Sequence, residues 1–236
     1  MKYKQLLIEN CKTMQEVVEF SCRKANNNRS SHRTNILNDG IVSSIMRHLP
    51  DSVNWKYEKE QKIKCARANN DNKGKCFSID VILSHKQTGV KIYILLKAIE
   101  ASYNKNSNNF ANTKMGEVER IYGHSPFYGN TLSDERKNDL TLFLTLLPGQ
   151  VPVGNKIENT KRSASSNENL RLFNDNIHQV TIVLDNKLTV EGKNVNRQCA
   201  KQELLSSLTN SKVKNKEEVI ESYGEFFRNV EQVLRI

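Results

Sequence analysis

Hydrophobic spacing divides the chain into helices at both ends and strands between them. Leu6, Leu7, Cys11, Met14, Val17 and Val18 recur at the interval of one helix face, which predicts a helix over residues 3–25. "SSHRTNILNDGIVSSIMRHLPD" predicts a second helix that stops at Pro50. "NWKYEKEQKIKCA" is polar and alternating, as an exposed strand is, and "ARANNDNKGK" follows it as a loop.

The clearest pattern is a hairpin. In "CFSIDVILS", Phe77, Ile79, Val81 and Leu83 are expected on one face, with Ser78, Asp80 and Ile82 on the other. "HKQTG" turns the chain. "VKIYILLKA" returns with Ile92, Ile94, Leu96 and Ala98 on one face and Lys91, Tyr93, Leu95 and Lys97 on the other.

"SYNKNSNNFANTK" is expected to be a polar loop, and "MGEVERIYG" a short helix. "DLTLFLTLLPG" is apolar on both faces and predicts a central strand covered above and below. "VGNKIENTKRSASSNENLR" is expected to be a long basic surface loop, and "HQVTIVLD" a further strand. From about Lys201 the tail is helical, ending in "EEVIESYGEFFRNVEQVLRI". Helices, then strands with a helix among them, then helices predict an α/β fold, a mixed central sheet flanked by helices. No composition shift marks a boundary, so one domain over 1–236 is expected, with a core at about 35–185 and a helical part at about 200–236.

Composition bounds the partners more than the fold. A chain of 236 residues can bury a core without disulfide staples. Its five cysteines are scattered without Cys-x-x-Cys spacing, and read as reduced structural thiols rather than a zinc site or disulfide framework. No apolar stretch approaches the roughly 18 residues of a membrane helix. "MKYKQLLIENCK" lacks a signal peptide's unbroken apolar run, so a soluble cytoplasmic protein is expected. Net charge +10, with pI near 9.3, favours anionic partners, nucleic acid first and a membrane surface second.

"IYILLKAIEA" then poses a chemical question, because a core-like strand carries an ammonium group at Lys97. The bland reading is an edge lysine whose stem reaches water. The sharper one pairs it with Asp80 on the neighbouring strand. A carboxylate that can hold Mg²⁺, beside a lysine that can orient water, suits metal-dependent phosphodiester hydrolysis. A cross-strand ion pair of little energetic weight uses the same two residues.

The stretch from about 35 to 147 resembles the PD-(D/E)XK nucleases, and type II restriction endonucleases among them, in its order of helix, strand, Asp-bearing strand, turn, Lys-bearing strand, helix and central strand. The likeness is strongest at "SID" (78–80) and "LLKA" (95–98). It departs from the family twice. No proline precedes Asp80, and Leu95 occupies the acidic position two residues before the lysine. In one branch of restriction enzymes the second acid sits on the following helix, which makes Glu117 the natural candidate here, with Glu119 next. Glu100 is nearer in sequence, but strand alternation aims it at the opposite face.

The resemblance implies a restriction-endonuclease-like fold and a Mg²⁺-dependent, site-specific cleavage of double-stranded DNA to 5′-phosphate ends. It implies Asp80, Lys97 and Glu117 as catalytic residues, Asp80 and Glu117 as metal ligands, and a homodimer. Phosphate contacts are expected from Lys105, Lys114, Arg120, Lys156, Lys161 and Arg162. The alternatives are an inactive DNA-binding protein of the same fold, which Leu95 favours, and a repair or recombination nuclease that recognises DNA structure. His85 reads more simply as a solvated turn residue than as a general base. "NTKRSASSN" reads as a DNA-facing loop or linker rather than a targeting signal.

Overall fold

The computed structural model describes residues 3–23, 31–66, 76–100, 103–122, 136–153, 156–160, 175–188 and 197–235. Helix α1 (Lys4–Arg23) lies against α2 (Ser31–Met46). Both bury their apolar stripes, including Leu6, Met14 and Val17 of α1 and Ile41 and Ile45 of α2. The two backbones approach closely at Gly40, where a Cβ would stand 2.3 Å from the Thr13 hydroxyl oxygen.

Five strands form the central sheet in the order β1 (Trp55–Lys64), β2 (Cys76–His85), β3 (Lys91–Ala98), β4 (Leu140–Leu147) and β7 (Ile177–Val183). The first two pairings are antiparallel and the last two parallel, so the sheet is mixed and the class is α/β. Helix α3 (Tyr103–Tyr122) makes the crossover that two adjacent parallel strands require. Helices α4 (Arg197–Leu208) and α5 (Lys216–Leu234) complete the chain.

The sheet has a core on each face. Ile92, Ile94, Leu96 and Ala98 of β3, with Leu140, Leu142, Leu144 and Leu146 of β4, join the cluster formed with α1, α2, α4 and α5. Tyr93, Leu95 and Phe143 point the other way, onto Val118, Ile121 and Tyr122 of α3. On α5 the stripe Val219, Tyr223, Phe226, Phe227 and Val230 is buried; a phenylalanine buried as fully as Phe226 contributes roughly 1.5–3 kcal/mol. Lys201 of α4 is buried and donates to the Ser21 carbonyl in the last turn of α1 at 3.0 Å, where the helix end favours a cation.

Three expectations need correction. The polar stretch "SYNKNSNNFANTK" is not a loop, because α3 runs through it from Tyr103. Its asparagines are poor helix formers, but Val118, Ile121 and Tyr122 anchor the helix to the sheet. Extension from an anchored helix adds a hydrogen bond per residue without a new nucleus. The segment after β4 is likewise not all loop. β5 (Gln150–Val153) and β6 (Lys156–Asn159) pair antiparallel. Gly149 permits this: its amide donates to Asn186 Oδ1 at 2.7 Å, and a Cβ there would lie 2.2 Å from the Leu184 carbonyl oxygen. Residues 161–174 of that segment lie outside the described residues.

Third, β2 does not keep one face throughout its length. Val81 and Leu83 pack in the α1–α2 core, as does Tyr57 of β1. Phe77 and Ile79 pack on the α3 side, as does Ile63 of β1. Register is the same on both sides, so both strands exchange faces between Lys59↔Val81 and Gln61↔Ile79, at the level of Glu60 and Asp80. Glu60 has φ +47, a left-handed conformation that a glutamate adopts only at a cost. Strict alternation fails because this one residue turns the β1–β2 ribbon over.

Candidate functional site

Asp80 sits at the turnover of the ribbon. The β2–β3 ladder extends only from Ser84↔Lys91 to Val81↔Ile94, and so ends one residue before Asp80. Where the ladder stops, Asp80 Oδ2 accepts the Leu96 amide proton at 2.8 Å, in place of a strand carbonyl. On α2, the buried Asn38 side chain donates to the Asp80 carbonyl at 3.4 Å. The backbone is thus held from one side and the carboxylate from the other.

Lys97 lies on the α3 side of β3, two residues after Leu95, with its side chain exposed. Glu117 comes from α3, one residue before the buried Val118, and is half-buried. Burial pushes the Asp80 carboxyl above the ordinary carboxylate range; the Leu96 amide and the Lys97 ammonium oppose this, and Glu60 adds to it. Burial likewise raises Glu117, with Lys97 lowering it, Asp80 raising it, and Arg120 and Lys114 lowering it. Asp80, Lys97 and Glu117 therefore share one electrostatic neighbourhood. Two acids partly withdrawn from water beside one ammonium suit a cation that replaces the missing solvation.

The same face of the sheet is polar beyond Lys97. Lys97 pairs in register with Thr145, and Thr145 with Thr181. Gln179 accepts from Lys114 Nζ at 3.2 Å, and that ammonium lies 5.7 Å from the centre of the Phe143 ring. Lys114 is thus half-buried and close enough to influence Glu117. Arg120 is exposed over Phe77, and Lys156 is exposed on β6. Lys105 lies in α3, but its side chain falls outside the described residues, as do Lys161 and Arg162 entirely.

Other acids and bases fall elsewhere. Glu100 accepts from Arg33 Nε at 3.0 Å and Ser21 Oγ at 2.8 Å, on the α1–α2 side of the sheet. Glu119 is half-buried two residues beyond Glu117. His85 is buried rather than solvated: its ring nitrogens lie 3.0 Å from Thr88 Oγ1 and 3.1 Å from Asp51 Oδ2, with Trp55 packed edge-on. It braces the turn before β3. Sequence reasoning missed Glu60, Gln179 and Asn38. A glutamine within "HQVTIVLD" is a visible signal, whereas the left-handed Glu60 has none.

Asp80 and Glu117 offer a hard cation two carboxylates, one oxygen already engaged by the Leu96 amide. Among the described residues no group of three or more His, Cys, Asp or Glu side chains is placed to hold a metal ion. The remaining oxygen ligands would have to come from water or substrate, as Mg²⁺ commonly takes them. No helix among the described residues is long and apolar enough to cross a membrane. Comparison with known proteins finds no matching family model, and neither curated proteins nor solved structures give a match.

Proposed function

We propose that the chain is a Mg²⁺-dependent endonuclease of double-stranded DNA, resembling the type II restriction enzymes of the PD-(D/E)XK group. The observation that carries this reading is the shared neighbourhood of Asp80, Lys97 and Glu117 at the end of the β2–β3 ladder. Asp80 and Glu117 would hold the metal, which supplies Lewis-acid stabilisation of charge on the phosphate. Lys97 orients the attacking water and offsets the developing negative charge. Attack on phosphorus with loss of the 3′ oxygen leaves 5′-phosphate and 3′-hydroxyl ends. Lys114, which acts on Glu117, would contact the same backbone. A twofold dimer would match a palindromic site.

Leu95 supports a second reading, a DNA-binding protein of this architecture without cleavage. It is 4 % exposed and packs in the α3-side core, at the position where the resembling enzymes carry an acid. Incubation of supercoiled plasmid with the purified chain and Mg²⁺ separates the two. Discrete fragments that vanish with EDTA support the endonuclease. Retardation of DNA without cleavage by Mg²⁺ or Mn²⁺ supports the binding protein, and branch-dependent cutting supports a repair nuclease.

A further inference from the structure

Away from the Asp80 site, α1 and the connection from α4 to α5 line an open cavity of about 460 Å³. That size lies within the range of small-molecule pockets, roughly 300–1,000 Å³. Four of the eleven described residues that line it are lysines: Lys4, Lys12, Lys212 and Lys216. Among the described residues none of their ammonium groups has an ion-pair partner. Lys4 and Lys216 open α1 and α5, so two helix N-termini add their partial positive charge. Between the lysines the surface is aliphatic, with Leu7, Ile8, Cys11 and Val213. Ile8 is 40 % exposed, one of the two large hydrophobics exposed among the described residues.

The other groups define what the cavity is not. Burial, helped by Asp185, pushes the Cys11 thiol up to about 11, so it stays protonated and behaves as apolar surface rather than a nucleophile. Asp185, the acid that acts on Cys11, is turned to the chain and accepts the Lys212 amide at 2.6 Å. Among the described residues the lining contains no aromatic ring on which a base could stack and no guanidinium to fork onto a phosphate. Gln15, which ties α1 to the Leu208 carbonyl at 2.8 Å, forms a wall rather than an opening.

We infer that this cavity binds a small amphiphilic anion, an aliphatic chain carrying a carboxylate head. The chain lies on Leu7, Ile8, Cys11 and Val213, and the head is held by the lysines. This assignment does not depend on the nuclease reading.

Calorimetric titration of the full chain with sodium decanoate, below its micellar concentration, tests it. The expected result is saturable one-site binding. Replacing all four lysines by serine (Lys4→Ser, Lys12→Ser, Lys212→Ser, Lys216→Ser) should weaken it about tenfold or more, and Ile8→Asp by about as much. These side chains lie at the surface, and circular dichroism verifies that the variants fold. Decanol, inorganic phosphate and AMP should each bind at least about tenfold more weakly. No saturable binding overturns the inference. So does equal binding of decanol, which removes the role of charge, or of AMP or phosphate, which removes that of the aliphatic floor. Binding unchanged in both variants places the ligand elsewhere and also overturns it. Displacement of decanoate by a duplex oligonucleotide would make the cavity part of a DNA face instead.

Discussion

The Asp80 carboxylate accepts the backbone proton of Leu96 at 2.8 Å, the residue immediately before Lys97. One hydrogen bond therefore fixes the acid relative to the strand that carries the ammonium. It forms because the β2–β3 ladder stops at Val81↔Ile94 and leaves that amide without a strand partner. A carboxylate held by an amide has its position set before any cation binds, which suits the ligand role proposed for it. Asp80→Ala and Lys97→Ala should each lower cleavage by about a hundredfold or more, the scale for loss of a charge-stabilising group. Duplex affinity should hold within a few-fold. A variant of either residue that cuts plasmid at the native rate removes it from the site.

Glu117 shares the field of Asp80 and Lys97, so Glu117→Ala should be as inactive as Asp80→Ala. Glu119→Ala should lose far less, since two residues rotate a helical side chain by about 200°. Leu95 faces the α3 side with Lys97. Leu95→Glu in the Glu117→Ala background should therefore restore part of the activity. Single-turnover cleavage by the native chain and each of these variants is the measurement. A native chain that never cuts, beside a Leu95→Glu variant that does, would mean the site lacks one carboxylate and that Glu117 does not supply it.

Duplex binding should weaken steeply with salt, since the chain carries net charge +10. The slope of log affinity against log salt should be about −0.9 for each phosphate contacted. Lys114→Ala and Arg120→Ala should each make the slope shallower by about one contact. A flat salt dependence by fluorescence anisotropy would assign the basic surface to something other than nucleic acid.

Asp139, which precedes β4, gives a pH signature unrelated to the site. It is buried, and accepts from the Lys91 amide and the Tyr93 hydroxyl, each at 2.9 Å. Burial nevertheless raises its carboxyl, so the native state holds this proton to higher pH than the unfolded chain does. Its contribution to stability is then greatest below the unfolded value and is lost as pH rises through the folded one. The stability of the native chain relative to Asp139→Asn should fall in urea titrations as pH rises above the ordinary carboxylate range of about 4. A gap that widens with pH would mean the two hydrogen bonds outweigh burial.

Gly40 tests the packing of α1 on α2. A methyl group there would meet Thr13 Oγ1 at 2.3 Å and Cγ2 at 2.9 Å. Gly40→Ala should cost about 1–3 kcal/mol despite the better helix propensity of alanine. In the Thr13→Ala background the cost should shrink or reverse, a coupling that a double-mutant cycle measures. Equal costs in both backgrounds would place the strain elsewhere.

The α/β class, the β2–β3 hairpin, the all-buried β4 and the amphipathic end helices are legible in the chain without any tertiary information. Each is written in a local period, two residues for a strand and about 3.6 for a helix, and that period survives whatever packs against it. The sequence also picked out Asp80, Lys97 and Glu117 as the charged residues to follow. Tertiary structure alone decided the rest. Docking of Val118, Ile121 and Tyr122 on the sheet carried α3 through a segment of low helix propensity, and so fixed where Glu117 falls. Paired to β2, the β1 strand takes a left-handed glutamate, and the ribbon turns over at Asp80. A positive φ at Glu60 leaves no mark in composition or spacing, because its cost is met by contacts between strands rather than by its neighbours in the chain.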